Sequence, residues 1–207
     1  MRFGERRSGA RAYVAFGGGV AVPPVLGSRA THVRSGVGGL HGRPLRRGDR
    51  IALGPSSQIT PRVSASMPDL PAGGARLRVL PGPQAEHFAP SALDVLQQTR
   101  YTVSPDSDRM GYRLSGGTGV ASTLGGGMVS DAAFVGGVQI PPSGDPILLM
   151  ADRPTTGGYP QIAIVISADL SVAAQLGVGD WVEFEMCSRS DAIAALVAQE
   201  GRILAVR

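Results

Sequence analysis

The chain has 207 residues, enough to bury a full hydrophobic core, with 43% hydrophobic and 17% charged residues and a formal net charge of +4. No stretch approaches the roughly 18 consecutive apolar residues of a membrane span, and no apolar secretory segment follows the basic N-terminus, so a cytoplasmic protein without membrane contact is expected. All twenty basic side chains are arginine, and lysine and asparagine are both absent, which excludes a Walker-type phosphate loop, a Schiff-base lysine and a biotin or lipoate attachment point on this chain.

Ten arginines fall in the first fifty residues against two acids, Glu5 and Asp49. No aromatic residues are interleaved with the arginine runs, so this segment reads as a solvated or partner-facing edge and no nucleic-acid partner is expected. Residues 10–16 run apolar and stop at Gly17-Gly-Gly19, predicting a strand, and residues 49–54 predict a turn feeding another. Residues 76–80 alternate and end at Pro81-Gly-Pro83, and residues 90–98 carry the period of a short amphipathic helix. Further strands are predicted at 101–104, 137–140, 146–150, 161–167 and 180–187, and helices at 168–176 and 190–206, the last with Ser190 as its N-cap. The glycine-rich stretch from Ser115 to Gly127 lacks a strand-to-helix setting and reads as a mobile loop instead of a phosphate cradle. Cys187 closes an apolar alternation and is read as a packing residue. Thirty glycines and sixteen prolines suit tight turns between short strands, so the fold is predicted to be mainly β, a barrel with a few short helices.

Two clusters carry possible chemistry. Asp106-Ser-Asp-Arg-Met-Gly-Tyr-Arg113 could grip a carboxylate or phosphate through bidentate arginine; equally, it is a turn capped by Asp106 and Ser107 with Arg109 paired to Asp108. Asp152-Arg-Pro-Thr-Thr-Gly-Gly-Tyr159 joins two apolar strands and offers a carboxylate, two hydroxyls and two glycine amides, enough to cradle an oxyanion or an amide. A hairpin whose glycines serve only the turn is the alternative.

The order and spacing of these clusters resembles the carboxyltransferase-type family also called allophanate hydrolase subunit 2. The similarity rests on residues 101–113, Gly137-Val-Gln-Ile-Pro141, residues 152–160 and Ser167-Ala-Asp-Leu170, preceded by Tyr13-Val-Ala-Phe-Gly-Gly-Gly19, Leu26-Gly-Ser-Arg29, Gly38-Gly-Leu-His-Gly-Arg43 and Leu80-Pro-Gly-Pro83. The resemblance implies a cyclophilin-like β-barrel forming a single domain over 1–207. It also implies one of three roles: the C subunit of an ATP-dependent 5-oxoprolinase, the carboxyltransferase part of a urea carboxylase, or a regulatory binding module of the Kip antagonist kind. The first is the principal expectation. ATP would then act in an assembled complex with a subunit-1-type chain (the oxoprolinase B subunit) and the LamB-like A subunit, on a small-molecule amide; biotin would enter only on a partner carrier.

Carried onto this chain, the resemblance assigns Arg109, Tyr112, Arg113 and Gln139 to substrate binding, and Asp152, Thr155, Thr156, Gly157, Gly158 and Tyr159 to the reacting centre. No metal is implied. Two departures stand out. The segment that usually precedes the equivalent of Arg2-Phe-Gly4 is absent, so a shortened domain is expected, and Asp131 stands where the family usually has glutamate.

Overall fold

The computed structural model describes residues 4–56, 70–124 and 128–205. Two compact units are present, one of Ala12–Val63 and one of Met1–Arg11 with Ser64–Arg207.

The smaller unit has little regular structure. Strands β1 (Thr31–His32) and β2 (Val37–Gly38) pair antiparallel. A 3-10 turn over Val33–Ser35 joins them and ends at Gly36 with φ 66°, a left-handed value that costs glycine no Cβ clash. Arg43 forks onto Asp49 at 2.8 and 2.9 Å, and the Arg46 amide adds a bond at 2.6 Å. The guanidinium first, then that backbone N–H, hold the Asp49 carboxyl well below the usual carboxylate range. The strands predicted at 10–16 and 49–54 are not formed. Residues 49–54 make one isolated bridge, Leu53 to Val20, and residues 10–16 enter no ladder among the described residues, leaving Tyr13 88% exposed. Apolar alternation yields a strand only where a neighbour's backbone groups are available to pair.

The larger unit carries β3 (Gly74–Pro81), β4 (Tyr101–Val103), β5 (Gly111–Ser115), β6 (Asp131–Ala132), β7 (Gly137–Gln139), β8 (Ile147–Leu149), β9 (Thr156–Gly157), β10 (Gln161–Val165) and β11 (Trp181–Met186). Seven of these close into a barrel in the order β10, β3, β11, β4, β5, β8, β7, with β7 returning to β10. β6 and β9 form a separate ribbon. Every barrel pair is antiparallel except β3 with β11, which run parallel from Gly74 beside Trp181 to Val79 beside Met186.

The barrel follows from period-two patterning. Leu77 and Val79 of β3, Tyr112 and Leu114 of β5, and Val182 and Phe184 of β11 are buried in one core with Val138, Leu148 and Ile162. Each such aliphatic or aromatic side chain contributes about 1.5–3 kcal/mol by leaving water. The alternate residues face out and pair by charge: Arg76 and Arg100 both bond Glu183, and Arg78 forks onto Asp169. Arg100 and then Arg76 depress the Glu183 carboxyl.

Among the described residues, three α-helices accompany the strands. α1 (Ala92–Gln98) buries Ala92 and Leu96 against the core, α2 (Leu170–Ala173) buries Ala173, and α3 (Arg189–Leu204) buries none of its described residues. The α3 cap is Ser188, not Ser190: its side chain accepts the Asp191 N–H and Asp191 reaches back to the Ser188 N–H. No helix among the described residues is long and apolar enough to cross a membrane. Cys187 is a half-buried free thiol whose burial pushes its pKa up. The predicted loop residues Gly125 to Gly127, with Arg2, Phe3 and Val206, lie outside the described residues.

Besides the two-residue strands β1 and β2, two features of the larger unit escaped the sequence reading. β5 was hidden inside a cluster read as either an anion grip or a capped turn, although Tyr112 and Leu114 do alternate with polar neighbours. The ribbon of β6 and β9 is two residues long on each side, too short for any periodicity to show.

Candidate functional site

The segment 152–159 connects β8 to β10 and touches two polar regions, one at each end. At its start, Asp108 sets the local backbone. Its Oδ1 accepts the amides of Met110 at 2.8 Å and Gly111 at 3.3 Å, an Asx turn that delivers the chain into β5. Arg109 is left at the corner with its side chain 70% exposed, and its guanidinium forks onto Asp152 at 2.7 and 3.0 Å. The Asp152 amide also donates to the Arg109 carbonyl at 2.8 Å. The residue predicted to act as base and the residue predicted to bind an anion therefore hold each other.

Tyr112 and Arg113 are neighbours on β5, so they face opposite ways. Tyr112 is buried; its hydroxyl donates to the Leu176 carbonyl at 3.2 Å and accepts from Arg11 Nη1 at 2.9 Å. Arg113 is exposed on the outer wall, where its amide donates to Ser107 Oγ. A groove of about 340 Å³ opens beside Tyr112, lined by Arg11, Ser107, Asp108, Arg109 and Leu176 among others. The structure thus brings Arg109 and Tyr112 together, with Asp152 joined through Arg109, and leaves Arg113 off the lining.

Arg11 was not singled out by its sequence context. It reaches the groove because the amides of Ala10 and Arg11 both donate to Gln175 Oε1, at 3.1 and 2.9 Å, while its side chain also donates to the Ala174 carbonyl. That partner set lies more than 160 positions away, beyond the reach of any local pattern.

At the other end of the segment, β9 pairs with β6, placing Gly157 opposite Asp131 and Thr156 opposite Ala132. Ala133 N donates to Thr155 O and Met128 N to Gly158 O, both at 3.0 Å. Thr155, Thr156 and Tyr159 stay exposed. Gln139 on β7 is only 6% exposed and donates to the Tyr159 carbonyl at 3.4 Å. A Cβ on Gly157 would stand 2.5 Å from Gln139 Nε2, so glycine here is what lets the loop lie against the glutamine.

Gln139 belongs to a layer of three buried glutamines. Its register partner is Gln161, at a bulge where β10 gains a residue against β7, a device that re-aims side chains. Gln161 is spent on the protein: Nε2 donates to Ala132 O at 2.8 Å and Oε1 accepts Phe134 N at 3.3 Å. Gln84 is spent likewise, its Oε1 accepting Gln161 N at 3.1 Å and its Nε2 donating to Asp131 Oδ2 at 2.8 Å. Asp131, shorter than the glutamate expected there, therefore anchors the ribbon through Gln84. Of the three, Gln139 alone keeps an amide oxygen that no side chain or backbone donor takes among the described residues.

The chemistry on offer is amide and carboxylate recognition. A primary amide presents one acceptor and two donors, the complement of a lactam or urea, and the groove at the other end of the segment presents arginine. Among the described residues no group of three or more His, Cys, Asp or Glu could hold a metal ion.

Comparison with known proteins gives a consistent picture. Residues 1–186 match the family described as carboxyltransferase domain, subdomain A and B. The chain is 38% identical to the C subunit of 5-oxoprolinase from Escherichia coli (strain K12) over 97% of its own length and 66% of that protein's, and 36% identical to the corresponding C subunit from Haemophilus influenzae over 93% and 61%. It spans less than two thirds of either relative. Among solved structures, the urea carboxylase of Kluyveromyces lactis superposes with a TM-score of 0.74 at 26% identity, over 90% of this chain and 18% of that one.

Proposed function

The chain belongs to the carboxyltransferase domain, subdomain A and B family, and from that membership we propose that it works as the C subunit of an ATP-dependent 5-oxoprolinase, opening the lactam of 5-oxoproline to glutamate. The observation that carries this reading is the 38% identity to the C subunit of a 5-oxoprolinase across 97% of the chain. Its site would be shared with a subunit-1-type chain (the oxoprolinase B subunit) and the LamB-like A subunit, in the cytoplasm where ATP is supplied.

The substrate presents one carboxylate and one cyclic amide, and the segment 152–159 spans a region suited to each. In hydrolysis, water bonds to the lactam carbonyl carbon, the C–N bond breaks and a proton passes to the nitrogen. Asp152 would orient the water, exchanging one of its two bonds with Arg109 for one to the water. The Gly158 amide would face the oxyanion, the Gly157 amide being taken by the pairing of β9 with β6, with Gly157, Thr155, Thr156 and Tyr159 lining the centre. Gln139 would take the lactam edge through its open amide oxygen. ATP would supply activation of the lactam oxygen. Helices α1 to α3 start at Ser91, Asp169 and Ser188, none behind a glycine-rich turn, which supports a nucleotide held by the partner chains.

The test is ATP-dependent release of glutamate from 5-oxoproline by the three chains together. Asp152→Ala is expected to lower kcat about 100-fold or more; full activity of that variant sinks the role given to Asp152. The superposition on the urea carboxylase of Kluyveromyces lactis favours a second reading, a carboxyltransferase component. Carboxyl transfer from a biotinylated partner, with no 5-oxoproline turnover, would select it.

A further inference from the structure

We propose that Arg11 is the carboxylate anchor of the 340 Å³ groove, and that the ligand class is a small carboxylic acid. The groove lies at the lower end of the range for small-molecule sites. Two arginines line it, and their donors are committed differently. Arg109 is largely exposed and its Nε and Nη2 both bond Asp152. Arg11 is half-buried and makes its side-chain hydrogen bonds through Nη1 alone, to Tyr112 Oη and the Ala174 carbonyl.

A guanidinium carries five N–H donors in a rigid fork. With Nη1 engaged, the Nε–Nη2 edge of Arg11 has no partner among the described residues, and that edge matches the two oxygens of a carboxylate. The fork is already oriented. Its main chain is tied to Gln175 Oε1, and its guanidinium carbon stands 6.0 Å from the Tyr112 ring centre, so little side-chain entropy remains to be lost on binding. The identity of the ligand as 5-oxoproline rests on the function proposed above; the anchor itself does not.

The experiment titrates the purified full chain with three probes by calorimetry: 5-oxoproline, propionate, which keeps only the acid, and 2-pyrrolidone, which keeps only the lactam. Both acids are expected to bind, with 2-pyrrolidone at least tenfold weaker than 5-oxoproline. Arg11→Gln should weaken the acids about 10- to 100-fold, and Arg11→Lys should recover part of the loss. Should Arg11→Gln fail to fold, the ¹⁵N-labelled wild-type chain serves instead: the Arg11 Nε–H resonance should move with either acid and stay still with 2-pyrrolidone. Equal affinity for acid and lactam, unchanged acid binding by a folded Arg11→Gln, or an unmoved Arg11 resonance would overturn the assignment. Arg11-dependent acid binding in a complex that never hydrolyses 5-oxoproline would keep the anchor and defeat the oxoprolinase reading. Hydrolysis with Arg11-independent binding would do the reverse.

Discussion

The two polar regions that meet the segment 152–159 spend their hydrogen bonds in different ways. In the glutamine layer, Gln84 and Gln161 are 5% and 2% exposed and both ends of each amide are used within the fold. In the groove, the charges are half-buried or exposed, and Arg109 and Asp152 neutralise each other where water reaches them. Buried polar groups must be paired because desolvation is otherwise uncompensated, whereas exposed ones can exchange a protein partner for a ligand at little cost. The layer is therefore suited to holding the loop in place and the groove to binding. Gln139 stands between these cases, buried like the first group and incompletely bonded like the second.

Substitutions in the layer should separate its members most clearly. Gln161→Leu strips the partners from Ala132 O and Phe134 N and should cost about 2–4 kcal/mol in urea unfolding. Gln139→Leu gives up one long bond and should cost under about 1 kcal/mol, while lowering turnover by the assembled complex at least tenfold. Equal destabilisation by the two would erase the distinction drawn between them. Next in size is the groove pair. A double-mutant cycle of Arg109→Gln and Asp152→Asn should return a coupling of about 0.2–1 kcal/mol, shrinking with added salt. A coupling several times larger would mean that the pair is structural and not exchangeable.

The smallest effect belongs to the outer wall, which serves as a reference remote from both regions. Arg100 and Arg76 lower the Glu183 pKa in the folded state, so the stability it contributes is present above its unfolded pKa and fades as pH falls through the folded value. Glu183→Gln should therefore melt slightly below wild type at neutral pH, and the two curves should converge on acidification. A gap that widens as pH falls would contradict the assigned direction.

How much of this was legible beforehand depends on range. β3, β7, β8, β10 and β11 announced themselves because alternation and flanking turn residues are local signals. Asp152, Gly157 and Gln139 were reached through motifs, and the fold sets Asp152 with Arg109 at one end of the loop and Gly157 against Gln139 at the other. Arg113 shows the limit of that route, since a motif treats Tyr112 and Arg113 as one group while the strand sends them to opposite faces. Residues 10–16 show another, since their apolar run has the composition of a strand and lacks a ladder among the described residues.

By itself the sequence determined the barrel class, the family, the loop that carries the candidate chemistry, and the rule that any positive charge on this chain is arginine. Only the tertiary structure decided which polar groups meet. Closing seven strands fixes a register, and that register set Gln161 beside Gln139, brought Gln84 to Asp131 across 47 positions and placed Arg11 on Tyr112 across 101. Contacts of that span leave no periodic trace in the chain. They come into being when hydrophobic burial closes the barrel and every buried amide must find a partner.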